Sequence, residues 1–250
     1  MTAPRIALVT GAGRGIGAAC ALRLADQGWD VAVNYARNAK AAEQVAAQVR
    51  ERGRRALLLQ GDVADEAAVR AMFAAIDSAW GPLGALVNNA GIVDMKSRFD
   101  EMSTARWRRM MDVNVLGTVF CTREAVQRMS TRHGGAGGAI VNLSSIAAVL
   151  GAPGMYVDYA ASKGAIDSFT TGLGRELATE GVRVNAVRPG IIDTEIHAAS
   201  GDAQRAFTSA SIIPMQRPGT AIECANAVAW LLSDEASYVT GSVLTVSGGR

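Results

Sequence analysis

Short apolar runs alternate along this chain with longer stretches in which apolar residues recur at spacings of three and four. The runs at 6–9, 30–34, 56–60, 85–87, 139–142, 183–187 and 243–246 read as strands. Most of them are mainly apolar, which suits strands of a parallel sheet with helices packed on it. The Ala- and Leu-rich stretches 16–27 (closed by Gly28), 39–50 and 66–80 read as helices. Asp65 is placed to cap the last of these. A βαβαβ rhythm predicts an α/β fold with a parallel, doubly wound sheet of seven strands and helices on both faces. The tract "HGGAGG" (133–138) precedes a strand and reads as a loop, because the alternation resumes after it. One domain over 1–250 follows.

Composition narrows the picture. At 250 residues the chain can bury a substantial core, and its apolar residues are mostly small, which suits helices packed closely on a sheet. The net charge is only +2 and the basic residues are scattered, so no nucleic-acid footprint emerges. The densest basic run, "RERGRR" (50–55), reads as a solvated helix end stopped by Gly53. No apolar run approaches ~18 residues, so no membrane span is expected. The start "MTAPRIALVTG" lacks the regions of a signal peptide, which points to the cytoplasm. Cys20, Cys121 and Cys224 are far apart and form neither metal spacing nor a disulfide framework; reduced, buried thiols and no metal site are expected.

The chemistry begins at "ALVTGAGRGIGAA" (7–19), where a strand enters and a helix leaves. Gly11, Gly15 and Gly17 let the chain turn, let backbone N–H groups approach a pyrophosphate, and let helix pack on strand. The helix N-terminus would then face the phosphates with its positive end. After the second strand comes "VAVNYARN", with no Asp or Glu to hold a ribose 2′-OH. Arg37 is there instead, with Arg14 inside the glycine turn. Two guanidinium groups suit a 2′-phosphate, so NADP(H) is expected over NAD(H).

A second cluster lies at "YAASK" (159–163). Helical spacing continues after it to Gly181, so Tyr159 and Lys163 share one helical face, one turn apart. A phenol is a poor base near neutrality, and a nearby ammonium lowers its pKa. Lowering it by ~2 units corresponds to ~2.7 kcal/mol. Such a pair exchanges a proton while a hydride moves at carbon, the need of carbonyl reduction or alcohol oxidation. Upstream, "IVNLSS" puts Ser144 and Ser145 at the C-terminal edge of a strand, where open α/β sheets bind ligands. "LVNNAG" (86–91) ends another strand with two amides and a glycine suited to a nucleotide.

In order along the chain, "TGAGRGIG" (10–17), "DV" (62–63), "NNAG" (88–91), "NV" (114–115), "SS" (144–145), "YAASK" (159–163), "RPG" (188–190), Thr194 and the ending "YVTGSVLTVSGG" resemble the short-chain dehydrogenase/reductase family over essentially the whole chain. The resemblance implies a Rossmann-type fold and an NADP-dependent enzyme moving a hydride between NADP(H) and a ketone or secondary alcohol. It implies Tyr159 as general acid/base, Lys163 as the group that lowers its pKa and binds the nicotinamide ribose, Ser145 holding the substrate oxygen, and Asn114 supporting Lys163 through a water. Cofactor contacts are implied for Gly11, Arg14, Gly15, Ile16, Gly17, Arg37, Asp62, Val63, Asn89, Ala90, Gly91, Tyr159, Lys163, Pro189, Gly190, Ile192 and Thr194, with Asn88 also in the cleft. A homotetramer built on the helix after Tyr159 and on 117–129 is implied too, with Ala165, Ile166, Phe169 and Leu173 as an apolar stripe.

Two departures stand out. Ser145 and Tyr159 are 14 residues apart, one more than the family's usual spacing, and a bulge at Pro153–Gly154 is expected to absorb it. "SGG" (247–249) replaces the family's usual "DGG", and no catalytic role is expected to depend on it. The segment 194–218 is expected to fold over a small-molecule substrate as a lid, offering Ile196, His197, Phe207, Ile212 and Met215 and no concentrated charge. Sugars, polyols, simple ketones and 3-oxoacyl thioesters all stay open as substrates. A sensor that binds NADP(H) without turnover is the non-enzyme alternative.

Overall fold

The computed structural model describes residues 5–202 and 204–250, with every side chain among them except those of His197 and Ala199. Seven strands form one sheet: β1 (Ile6–Val9), β2 (Asp30–Tyr35), β3 (Ala56–Gln60), β4 (Ala85–Asn88), β5 (Gly138–Leu143), β6 (Val182–Pro189) and β7 (Val243–Val246). All pairs are parallel, in the order β3-β2-β1-β4-β5-β6-β7. The order reverses between β1 and β4, which opens a crevice beyond their C-terminal ends. Every predicted strand is present. Four are longer than their apolar runs by one to three residues, because backbone pairing continues past the run.

The helices are α1 (Gly15–Asp26), α2 (Ala39–Glu51), α3 (Glu66–Trp80), α4 (Thr104–Met111), α5 (Gly117–Met129), α6 (Ala147–Leu150), α7 (Val157–Glu176), α8 (Ile196–Ala199), α9 (Arg205–Thr208) and α10 (Ala221–Leu232). Alternate β1 side chains feed two cores. Ala7 and Val9 pack with residues of α1, α2 and α10, whereas Ile6 and Leu8 pack with residues of α3 and α5 and with Leu173 and Leu177. Asp65 caps α3 as expected, accepting from the N–H groups of Ala67 and Ala68. Of the expected apolar stripe on α7, Ile166 is buried in the subunit and Leu173 packs on its core.

The basic run at 50–55 is only partly a solvated helix end. Arg54 and Arg55 both clamp the buried carboxylate of Asp30 at 2.7 Å, tying the loop after α2 to the start of β2. Between α4 and α5, Asp112–Leu116 forms a π-turn, in which Gly117 donates its N–H to the Asp112 carbonyl. Periodicity alone does not reveal such a turn, and such turns favour functional sites. Among the described residues, no helix is long and apolar enough to cross a membrane, and no cluster of acidic, His or Cys side chains could hold a metal. All three cysteines are free and buried.

Candidate active site

The crevice at the switch point is held in shape by short polar side chains. Thr10, at the end of β1, accepts at Oγ1 from the N–H groups of Asn89 and Ala90, both at 3.0 Å. Asn89 returns the bond, donating Nδ2 to the carbonyls of Thr10 (2.9 Å) and Gly11 (3.0 Å). Asn34, buried at the end of β2, accepts from the N–H of Gly11 and donates to the carbonyls of Leu59 and Gly61. The loops after β1, β3 and β4 and the end of β2 are thereby locked together, which no local sequence pattern announces.

These loops enclose a cleft of about 580 Å³ bounded by Gly11, Arg14, Gly15, Ile16, Arg37, Asp62, Val63, Asn89, Ala90, Gly91 and Thr194. Its floor fits a dinucleotide. Gly11 and Gly15 adopt left-handed backbone (φ 61° and 54°), and no side chain caps α1. The first N–H groups of α1 are thus left for an anion. Arg14 and Arg37 both line this cleft and are exposed. Arg109, unanticipated from the sequence, also lines it and holds Asp62 at 2.8 Å. Burial pushes the Asp62 carboxyl up, but hydrogen bonds from Arg109 and the Ala64 N–H outweigh it and leave it below the usual range.

Two expectations for this cleft need correction. Asn88 does not line it: its amide is buried, donating to Thr122 Oγ1 and Asn142 Oδ1, both at 2.9 Å. Alternation along β4 turns Asn88 into the sheet–helix layer, and Asn89, past the strand end, takes the cleft side. Gly17 is also off the wall. A Cβ there would lie 2.3 Å from Asn89 Nδ2 and 2.6 Å from the Gly11 carbonyl, so it serves the close packing of α1 beneath the turn.

A second cavity of about 470 Å³ joins the first, sharing Ile16, Asn89, Gly91 and Thr194. Tyr159 and Lys163 open into it from α7, Ser145 from the end of β5, and Pro189, Gly190 and Ile192 from the end of β6. Ser145 and Tyr159 line the same cavity, and the Ser145 hydroxyl acts to draw the Tyr159 phenol pKa down. The extra residue between them is absorbed in the turn after α6, where Gly151 (φ 74°), Ala152 (φ 47°) and Gly154 (φ 68°) are left-handed. The bulge begins earlier than the Pro153–Gly154 turn alone predicts.

Lys163 is buried, with Nζ donating to the Leu143 carbonyl at 2.6 Å and lying 5.7 Å from the Tyr159 ring centroid. Burial lowers its pKa to about 8, with Asp167 pulling the other way. Burial pushes the Tyr159 phenol up, and the nearby Ser145 hydroxyl pulls it down without prevailing. The expectation that Lys163 brings the phenol down is therefore not met in the protein by itself. The same desolvation acts on both groups, and the ammonium spends its hydrogen bond on a backbone carbonyl.

Asn114 does not line either cavity. It is buried in the π-turn, where Oδ1 accepts from the Ile92 N–H (2.8 Å) and Nδ2 donates to the Ile92 carbonyl (3.0 Å) and Ser162 Oγ (3.1 Å). Ser162 in turn donates to the Tyr159 carbonyl at 2.7 Å. Gly91 lies between this amide and Lys163: a Cβ there would be 3.4 Å from Asn114 Oδ1 and 3.5 Å from Lys163 Nζ.

The segment 194–218 contributes Thr194, Ile196, Ser200 and Arg205 to the second cavity. Phe207, Ile212 and Met215 do not face it; they point outward, each more than half exposed. The His197 side chain lies outside the described residues. The expectation of no concentrated charge is overturned: Arg205 of this segment lines the cavity, and so does Arg250, carried in by the "SGGR" turn. The segment alone does not show the pairing, because Arg250 lies 45 positions further along the chain.

Residues 11–250 match a family model described as enoyl-(acyl carrier protein) reductase. The chain is 55% identical over 245 residues to the uncharacterized oxidoreductase YgfF of Escherichia coli, spanning 98% of this chain and 99% of that protein. It is 39% identical over 249 residues to the 3-oxoacyl-[acyl-carrier-protein] reductase FabG of Staphylococcus aureus, spanning 100% and 99%. A short-chain dehydrogenase from Burkholderia cenocepacia, solved in complex with NADP, superposes with a TM-score of 0.88 at 38% identity, covering 98% and 97%.

Proposed function

Because the chain belongs to the short-chain dehydrogenase/reductase family of oxidoreductases, we propose that it reduces a ketone to a secondary alcohol, or the reverse, with NADP(H). The observation that carries this reading is the convergence of Ser145, Tyr159 and Lys163 on one cavity that joins the cleft behind the glycine turn. The bound nicotinamide supplies or takes up the hydride. The chain's own groups handle the oxygen and the proton. Ser145 holds the substrate oxygen, and the phenol of Tyr159 delivers its proton there during reduction or removes it during oxidation. A phenol raised by burial keeps its proton near neutrality, which favours the reducing direction. Lys163, with its pKa near 8, would hold hydroxyl groups of the nicotinamide ribose. Asn114 keeps the loop at Ile92 and the backbone of Tyr159 in register through Ser162.

The first N–H groups of α1 would take the pyrophosphate, Asp62 and Val63 the adenine, and Arg14 and Arg37 the 2′-phosphate. The absence of an acidic side chain at 31–38 supports NADP(H), as does the NADP complex of the Burkholderia relative. Closure of 194–218 over the substrate and assembly into a homotetramer through α5 and α7 belong to the same proposal. Sedimentation tests the assembly. Reduction of a 3-oxoacyl thioester is the second reading, motivated by the Staphylococcus relative. A panel of ketones, secondary alcohols, and 3-oxoacyl and enoyl thioesters, followed at the reduced-nucleotide absorbance with NADPH and NADH, tests both readings. Turnover of ketones with NADPH, lost in Tyr159→Phe, is the expected result. Near wild-type kcat in that variant, or no turnover of any panel member, would defeat the proposal.

A further inference from the structure

Arg205 enters the second cavity from α9, and its Nη1 donates to the Tyr156 hydroxyl at 2.7 Å while its guanidinium stacks 5.3 Å from the Tyr156 ring centroid. Tyr156 is buried and immediately precedes α7, three positions before Tyr159. Arg250 lines the same cavity. Its turn is fixed: Ser247 Oγ donates to the Arg250 carbonyl at 2.9 Å, and Met215 donates its N–H to the Gly248 carbonyl at 3.1 Å. A Cβ on Gly190 would lie 2.7 Å from Ser247 Cα, so the turn abuts the β6 end of the site.

Among the described residues, neither Arg205 nor Arg250 makes an ion pair with a carboxylate. Arg188 and Arg217, near the same end of the molecule, both do. The positive charge of Arg205 acts on Arg250, adding to burial in holding its pKa below the usual guanidinium range. Two like charges kept together in a half-enclosed, otherwise largely apolar cavity are costly unless an anion joins them. The cavity that holds them and Ser145 is also lined by the apolar side chains of Ile146, Leu150, Pro153 and Met155.

Resting on the function proposed above, we infer that Arg205 and Arg250 form an oxyanion subsite, so that the substrate is a carbonyl compound carrying a carboxylate or phosphate beyond a short apolar segment. Reduction of such an oxo acid consumes one hydride and one proton and leaves the anionic group unchanged. Guanidinium groups suit either oxyanion through paired N–H bonds. The position of Tyr156, about one turn from Tyr159, sets the anion a few bonds from the reacting carbon.

The test is a ratio measured within each enzyme variant. A graded series of straight-chain oxo acids is assayed beside their methyl esters, and dihydroxyacetone phosphate beside dihydroxyacetone. For the wild type, kcat/KM should favour the charged member of at least one pair type by about tenfold to a hundredfold. Which pair shows it decides between carboxylate and phosphate. In Arg205→Gln, and separately in Arg250→Gln, that ratio should collapse toward one. Because each ratio is internal to one variant, a general loss of folded protein cancels, and Arg205→Lys should restore part of it. A wild-type ratio near one for both pair types overturns the inference while leaving the proposed carbonyl chemistry in place. A ratio that persists in both Gln variants overturns it too. No turnover of any member, charged or neutral, brings down the proposed function and the subsite with it.

Discussion

Arg106 holds the fully buried carboxylate of Asp158 through two hydrogen bonds, Nε to Oδ2 at 2.7 Å and Nη2 to Oδ1 at 3.1 Å. Asp158 is the second residue of α7 and the neighbour of Tyr159, so this pair fixes where the helix carrying the phenol begins. Arg106 also donates to the Met95 carbonyl at 2.7 Å, tying in the loop after β4.

Arg106→Met would strand a buried carboxylate and should cost about 3–5 kcal/mol of unfolding free energy. Adding Asp158→Leu to that variant should recover much of the loss. Urea unfolding of the wild type and the two variants checks both expectations. A loss under about 1 kcal/mol for Arg106→Met would mean that Asp158 finds water or another donor.

For Tyr159, burial and the Ser145 hydroxyl act in opposite directions. In alcohol oxidation kcat/KM should rise with pH as the phenol ionises. Ser145→Ala removes the influence that lowers the phenol pKa, so its rise should move to higher pH, with kcat/KM falling about a hundredfold. Ser145→Thr should keep the wild-type profile. Profiles of oxidation rate against pH for the three enzymes provide the check.

Lys163 binds its proton less tightly in the fold than in the unfolded chain, about 8 against 10.5. The unfolded state therefore takes up more protons between those values, and stability contributed by Lys163 rises with pH across that window. Below it, the buried ammonium costs about 3 kcal/mol. Between pH 8 and 10.5 the unfolding free energy of the wild type should gain about that much relative to Lys163→Met. Denaturant titrations at the two ends of the window measure the difference; an unchanging gap would show that the lysine keeps its ordinary affinity for protons.

Cofactor choice should turn on Arg37. Arg37→Glu places a carboxylate where a 2′-phosphate would sit, next to Asp62. The ratio of kcat/KM for NADPH over NADH should fall about tenfold to a hundredfold, through loss of a charge-assisted bond and added repulsion. An unaltered ratio would move the discrimination to Arg14 or Arg109.

Much of this architecture was legible along the chain. Uninterrupted apolar runs such as Ile6–Val9 give parallel strands because both faces of such a sheet are covered, and that fact is local to each run. The glycine turn at 11–17 and the pair Tyr159–Lys163 were legible for the same reason: backbone freedom and one helical turn are short-range properties. Sequence alone thus determined the βα order, the glycine turn after β1 and the face of α7 that carries the phenol.

Tertiary structure decided what depends on distant residues meeting and on water being excluded. It turned Asn88 inward and Asn89 toward the cleft, placed Asn114 in a π-turn against Ile92, and set Arg109 on Asp62. It also set the protonation of Tyr159 and Lys163, because desolvation belongs to the closed cavity and not to a four-residue spacing. Arg205 and Arg250 meet only because the 247–250 turn packs on 213–215. Charge in a pocket is a property of the folded surface, and a linear sequence does not contain it.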